Sequence, residues 1–163
     1  SVEKIIIIMG VSGSGKSTLG SALSRALSIP FIEGDDFHTD VNINKMKSAI
    51  PLADKDRKPW LIALSKELSK HQSRGVILAC SALKATYREL LSNSLLKESL
   101  FWIYLYCNSK ELKKRLKSRD HFMPPDLLQS QLDDLEEPKG ALYLNNSQSI
   151  NEMIQQIKRE INE

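Results

Sequence analysis

Cysteine is scarce in this 163-residue chain, long apolar runs are missing, and neither sign of charge dominates. The two cysteines, Cys80 and Cys107, each lie in an apolar stretch. That excludes a disulfide framework and zinc spacing, and reads as reduced core thiols of a cytosolic protein. The longest apolar runs, Ile5 to Met9 and Val76 to Cys80, fall far short of the roughly 20 residues a membrane-spanning helix needs. The first is also shorter than the apolar core of a secretory leader. With 23 basic and 20 acidic residues the formal net charge is +3, too mild to argue for nucleic acid. No repeat, low-complexity stretch or Pro/Gly/Ser linker divides the chain, so one domain is expected over 1–163. Hydrophobic residues at 41% and charged residues at 26% exclude a disordered or fibrous chain. Such a chain can bury a core without disulfides or a structural metal.

What the sequence does have is alternation. Ile5 to Met9 reads as a buried strand, and residues 17–28 carry Leu19, Leu23, Ala26 and Leu27 at helical spacing before Pro30. Phe31 to Glu33 is a second strand. Pro59 is expected in the first turn of a helix with Trp60, Leu61, Leu64 and Leu68 on one face. Val76 to Cys80 is a third strand, followed by a helix whose inner face is Leu83, Tyr87, Leu90 and Leu91. Phe101 to Cys107 is a fourth, then a basic helix over about 110–119. Ala141 to Leu144 is a fifth, and Ser149 with Glu152 caps a last helix presenting Ile150, Ile154, Ile157 and Ile161. Continuous apolar strands alternating with amphipathic helices predict a parallel sheet covered on both faces. Ligands of such sheets bind beyond the carboxyl ends of the strands.

The strongest local signal sits at the first of those ends. Gly10-Val11-Ser12-Gly13-Ser14-Gly15-Lys16-Ser17 is a G-x-x-x-x-G-K-S pattern, with Thr18 next, between a strand and a helix. Its backbone N–H groups can turn inward around phosphate oxygens, and the helix start adds positive potential. Lys16 supplies a cation to the terminal phosphates and the Ser17 hydroxyl can hold Mg²⁺. These features predict nucleoside triphosphate binding. They do not say where the phosphate goes.

The second strand ends in Glu33-Gly34-Asp35-Asp36-Phe37-His38. Two carboxylates one residue apart on an extended segment point to the same side, so one can reach Mg²⁺ through water while the other takes a hydroxyl proton. His38 fits either a polyol contact or an ordinary surface loop. Arg57, just before the Trp60 helix, suits a carboxylate ligand, unless Asp54 or Asp56 caps that helix and leaves it solvated. Lys84 and Arg88, four apart, form either a cationic wall or a solvated basic face. The third strand ends without an acidic residue, so the metal carboxylate must come from the second. Residues 110–119 hold six basic residues and one acid, which fits a phosphate clamp, a solvated helix or a nucleic-acid patch. No aromatic interleaving supports the last of these. A mobile lid is expected from the Asp120-His121-Phe122-Met123-Pro124-Pro125 connection.

Several motifs together carry a resemblance. They are Gly10 to Ser17, Gly34-Asp35…His38…Asn42…Lys45-Met46, Pro51-Leu52…Asp54…Asp56-Arg57…Pro59-Trp60-Leu61, Cys80-Ser81-Ala82-Leu83-Lys84…Tyr87-Arg88, and His121-Phe122-Met123-Pro124…Leu127-Leu128…Ser130-Gln131. Over about residues 5–138 the chain resembles the gluconokinase family of phosphate-loop kinases, which is similar to shikimate kinase. The resemblance implies an α/β, three-layer α/β/α fold with a five-stranded parallel sheet in order 2-3-1-4-5 and a helical lid over about 115–135. It implies transfer of the γ-phosphate of ATP to the 6-hydroxyl of D-gluconate with Mg²⁺, in a cytoplasmic homodimer with no nucleic-acid or membrane partner. Lys16, Asp35 and Arg119 then look catalytic, with Asp35 the base, and Ser17 and Glu33 look like the metal side, Glu33 through water. The phosphate loop, Thr18 and Arg115 look nucleotide-binding. Asp35, His38, Arg57, Lys84, Arg88 and His121 look substrate-binding. The sequence departs from the family at Glu33 (usually Asp), Thr39 (usually Pro) and Ala49 (usually Gly). Another small acceptor, such as shikimate or another sugar acid, and an RNA-binding module are the alternatives.

Overall fold

Strand β1 (Ile5–Met9) is apolar at every position because it runs through the centre of a sheet that is covered on both sides, and all five side chains are fully buried. In this computed structural model, residues 4–107, 110, 114 and 125–162 are described. Around β1 lie β2 (Phe31–Glu33), β3 (Val76–Ala79), β4 (Leu100–Tyr106) and β5 (Leu142–Asn145), all parallel, in the order β2-β3-β1-β4-β5. This is the expected strand order. Ile5 pairs with Val76 on one side and Leu100 on the other.

Successive strand side chains point to opposite faces, and the sheet sorts its core accordingly. Ile5, Ile7 and Met9 face α3 (Asp54–Ser69), α4 (Ala85–Ser92) and α5 (Pro125–Asp134), where Trp60, Leu64, Tyr87 and Leu128 are buried against them. Ile6 and Ile8 face α1 (Lys16–Leu27) and α6 (Ile150–Ile161), meeting Leu19, Leu23, Met153, Ile154 and Ile157. The result is the expected α/β/α layering. Ser149 caps α6 by accepting from the Glu152 N–H at 3.1 Å.

Three local expectations change. The segment after β2 is not extended: Gly34–Phe37 is a turn of 3₁₀ helix. A helix that apolar periodicity did not reveal, α2 (Asp40–Lys47), follows it, capped by Thr39, whose hydroxyl accepts from the Asn42 N–H at 3.1 Å. Helix α3 starts at Asp54, so Pro59 lies inside the helix and Arg57 belongs to its first turn. The carboxylate of Asp56 accepts from the Ala53 N–H at 2.8 Å, starting the helix before the proline. Proline offers no N–H to the carbonyl of Lys55, but Lys55 is exposed and water can take its place.

Candidate active site

The carboxyl ends of β1, β2 and β3 open into a cavity of about 550 Å³. Its wall includes the phosphate loop, Glu33 and Asp35 after β2, and Cys80 and Ser81 after β3. Gly10 is forced by space as well as conformation. Its φ is +150°, and a Cβ there would lie 2.5 Å from the carbonyl oxygen of Leu105. Gly34 is forced by the sheet, since a Cβ would lie 2.4 Å from the Ala79 carbonyl oxygen. The Lys16 ammonium donates to the Val11 carbonyl at 3.0 Å. Burial lowers its pKa, against the opposing pull of Asp35, Cys80 and Glu33. The Ser17 hydroxyl donates to the Glu33 carboxylate. A hydroxyl and a carboxylate in contact at a helix N-terminus beside a phosphate cradle make a suitable oxygen donor pair for Mg²⁺, which takes most of its other ligands from phosphate and water. Cys80 is buried and its thiol is pushed up to about 12, mainly by desolvation, so it is inert packing.

Opposite the loop, the 3₁₀ turn brings Asp35 to the cavity beside Glu33, as expected for the pair, though by a curved backbone and not by strand alternation. The indole N–H of Trp60 donates to the Gly34 carbonyl at 2.7 Å and fixes that turn. His38 stacks on the same indole, with centroids 4.0 Å apart and planes 18° from parallel. Its Nε2 lies 3.8 Å from Asp35 Oδ1. Burial brings the His38 pKa down to about 4, with Asp35 opposing and Arg57 reinforcing the shift. His38 is therefore a packed part of the cavity wall.

Arg57 also lines the cavity, and it is only 7% exposed, not solvated. It donates to the Tyr87 hydroxyl at 2.8 Å and to the Asp134 carboxylate at 3.1 Å. The Lys84 ammonium donates to Asp54 at 3.0 Å, and the Tyr87 hydroxyl donates to the same carboxylate. Those two hydrogen bonds hold Asp54 below its ordinary pKa, Tyr87's first and Lys84's second. Arg88 is not brought to the cavity. Its guanidinium donates to the carbonyls of Ala82 (2.7 Å), Leu83 (3.1 Å) and Glu136 (2.9 Å), clamping the β3–α4 loop to the segment after α5. Lys84 likewise sits outside the cavity lining. Of the two arrangements open to Lys84 and Arg88, a cationic wall or a solvated basic face, the structure shows neither, since Lys84 stands at the N-cap position of α4 and each makes its own separate attachment.

Sequence reasoning missed three contributors. Asn42, 1% exposed, donates through its amide to His38 Nδ1 and to the Asp56 carbonyl. Gln131 of α5 accepts from the Ser12 N–H at 2.8 Å and donates to the Ser12 hydroxyl at 3.1 Å, joining α5 to the phosphate loop. One turn further along, Asp134 pairs with Arg57. Asn42 and Gln131 were visible only as members of the family motifs. Arg115, Arg119 and His121 lie outside the described residues.

The chain matches the shikimate kinase family over residues 12–163. It is 41% identical over 167 residues to a probable gluconokinase of Dictyostelium discoideum, covering 94% of this chain and 84% of that protein. A gluconokinase of Arabidopsis thaliana is 43% identical over 147 residues, covering 82% of this chain and 78% of that one. The crystal structure of a gluconokinase from Sinorhizobium meliloti 1021 superposes with a TM-score of 0.88 at 40% identity, covering 99% of this chain and 93% of that one.

Proposed function

The chain belongs to the shikimate kinase family and, within it, to the gluconokinases, and from that membership we propose that it transfers the γ-phosphate of ATP to the 6-hydroxyl of D-gluconate. The observation that carries the reading is one cavity that joins a phosphate loop to a carboxylate, a histidine and a buried arginine on the acceptor side. Bound Mg·ATP supplies the transferable phosphoryl group and part of the charge neutralisation around it. Ser17 and Glu33 are the residues suited to hold the metal, the carboxylate through water. The loop N–H groups from Gly10 to Ser17, with Thr18, cradle the phosphates, and Lys16 sets a positive charge beside them. Asp35 takes the proton from the attacking hydroxyl. His38 contacts the polyol chain, and Arg57 meets the carboxylate end. Arg115 and Arg119, carried by family resemblance, serve nucleotide and transferring phosphate, with His121 near them. A homodimeric assembly and a cytoplasmic location belong to the same proposal, and sedimentation velocity tests the first.

The test is ADP release from Mg·ATP across gluconate, shikimate, glucose, glucuronate, AMP and water. Turnover on gluconate far above the rest is the expected result. Turnover on another acceptor would keep the phosphate side and overturn the pocket roles. Salt-sensitive RNA affinity with no turnover on any acceptor would favour a binding module instead. Asp35→Ala should abolish turnover while sparing ATP binding, and Arg119→Ala should lower kcat more than it raises the gluconate KM.

A further inference from the structure

We propose that Asn42 is a positioning residue that fixes His38 as a neutral imidazole with its proton on Nε2, facing Asp35 across the acceptor side of the cavity. The functional half of this inference rests on the kinase reading above; the structural half does not.

A backbone carbonyl only accepts, so the Asn42 side-chain atom 2.8 Å from the Asp56 carbonyl oxygen is the amide nitrogen. The same nitrogen lies 3.2 Å from His38 Nδ1. Its second proton therefore points at Nδ1, which must carry a lone pair. A neutral ring then has its hydrogen on Nε2. Protonating Nδ1 as well would set two donors against each other inside a packed wall. Asn42 has little freedom to turn away. It is 1% exposed, its backbone N–H is capped by Thr39, and Asp56 is held in turn by Lys45, at 3.0 Å to each carboxylate oxygen. The ring itself is held against Trp60, the residue that also anchors the turn bearing Asp35.

The charged groups that face the ring are Asp35, which favours an imidazolium, and Arg57, which opposes it. Burial is the largest influence and outweighs the pull of Asp35, with Arg57 on its side, so desolvation and hydrogen bonding agree on the neutral form. The consequence is a division of labour. His38 has no free lone pair aimed at the cavity and cannot take the acceptor's proton. It presents an N–H, 3.8 Å from Asp35 Oδ1 and beyond hydrogen-bond reach of it, which can donate to a polyol oxygen. Asp35 is left as the proton acceptor. His38 contributes no acid limb to the pH profile of the reaction.

Nitrogen-15 NMR of the full-length, ¹⁵N-histidine-labelled protein tests this without any substrate, with the His38 signals assigned by loss in His38→Gln. The expected wild-type result is a neutral ring protonated at Nε2 across about pH 5 to 8. A proton on Nδ1, or titration of His38 near its ordinary value, would overturn the proposal whatever the enzyme phosphorylates. Asn42→Asp should reverse the arrangement, placing the proton on Nδ1 and raising the His38 pKa by about one unit or more. Asn42→Leu, which keeps the bulk and lacks the donor, serves if the aspartate variant does not fold, and it should yield a mixture of tautomers. An unchanged ring in both variants would refute the role of Asn42. With gluconate, either variant should lose about tenfold in kcat/KM at neutral pH, and Asn42→Asp should gain an acid limb absent from the wild type. If gluconate is not the acceptor, this last readout fails while the tautomer result stands.

Discussion

The Arg57 guanidinium of α3 and the Asp134 carboxylate of α5, 77 residues apart in the chain, meet at 3.1 Å beside the acceptor cavity. Arg57 is buried, and a buried cation needs a partner. Asp134 fills that need from the helix that also holds the phosphate loop through Gln131. An anionic substrate that uses Arg57 must therefore share it with, or take it from, Asp134. Asp134→Asn removes the competing charge and leaves a neutral acceptor in place. The expected outcome is a gluconate KM lowered several-fold with kcat little changed, and stability reduced by about 1–3 kcal/mol. A raised KM in steady-state assays would show instead that Asp134 orients Arg57 for its ligand.

Arg88 makes a contrasting prediction. Its three carbonyl contacts join the loop after β3 to the segment after α5, and it does not line the cavity. Arg88→Met should cost on the order of 1–2 kcal/mol in urea unfolding, since the part-buried carbonyls of Ala82 and Leu83 lose a charged donor while the exposed Glu136 carbonyl can turn to water. The gluconate KM of the folded enzyme should stay within about twofold of wild type. A KM effect of tenfold or more, with unfolding unchanged, would return Arg88 to the substrate pocket.

These two arginines show what was legible in the sequence and what was not. The sheet was legible because its strands are continuous apolar runs, with Ile5 to Met9 the clearest, and the phosphate loop because its chemistry is local in sequence. Helix α2 was hidden because its apolar stripe is weak; a Thr39 cap and the buried Asn42 define it instead. Pro59 misplaced the start of α3, since proline is best tolerated in a first turn, whereas here it lies inside the helix. Arg57 and Asp134 stand 77 residues apart, and Ser12 and Gln131 stand 119 apart. Such pairings are set by topology and leave no spacing to read.

Ala49 is strained in a way that one substitution can relieve. At the end of α2 the Ile50 N–H donates to the Lys45 carbonyl at 2.8 Å and the Ala49 N–H to Met46 at 3.2 Å, the pattern of a Schellman cap. Its C′ position calls for a left-handed residue, and Ala49 has φ +60°. A Cβ costs about 1 kcal/mol there, and Ala49 is exposed, so no packing offsets the cost. Ala49→Gly should raise stability by about 0.5–1 kcal/mol, reduced from the full strain by the greater freedom of glycine in the unfolded chain. Chemical denaturation checks it, and a loss of stability would show that the loop gains more from the stiffer residue.

His38 also makes folding depend on pH over a definable window. Its pKa is about 4 in the folded protein against an ordinary value near 6.5. Above about pH 6.5 the ring is neutral in both states and contributes no slope. Between 6.5 and 4 the unfolded chain binds a proton that the folded chain does not, so stability falls as pH falls. The slope approaches about 1.4 kcal/mol per pH unit, and the full window is worth at most about 3 kcal/mol. Asp54 and Asp56, held low by their hydrogen bonds, add losses of their own as pH falls through the carboxylate range. Comparing wild type with His38→Gln cancels those shared terms. Urea midpoints measured from pH 4.5 to 7.5 should therefore diverge below about pH 6.5, the wild type declining more steeply. Parallel curves would mean that His38 is protonated in the folded state, and with it the neutral-donor role would fall.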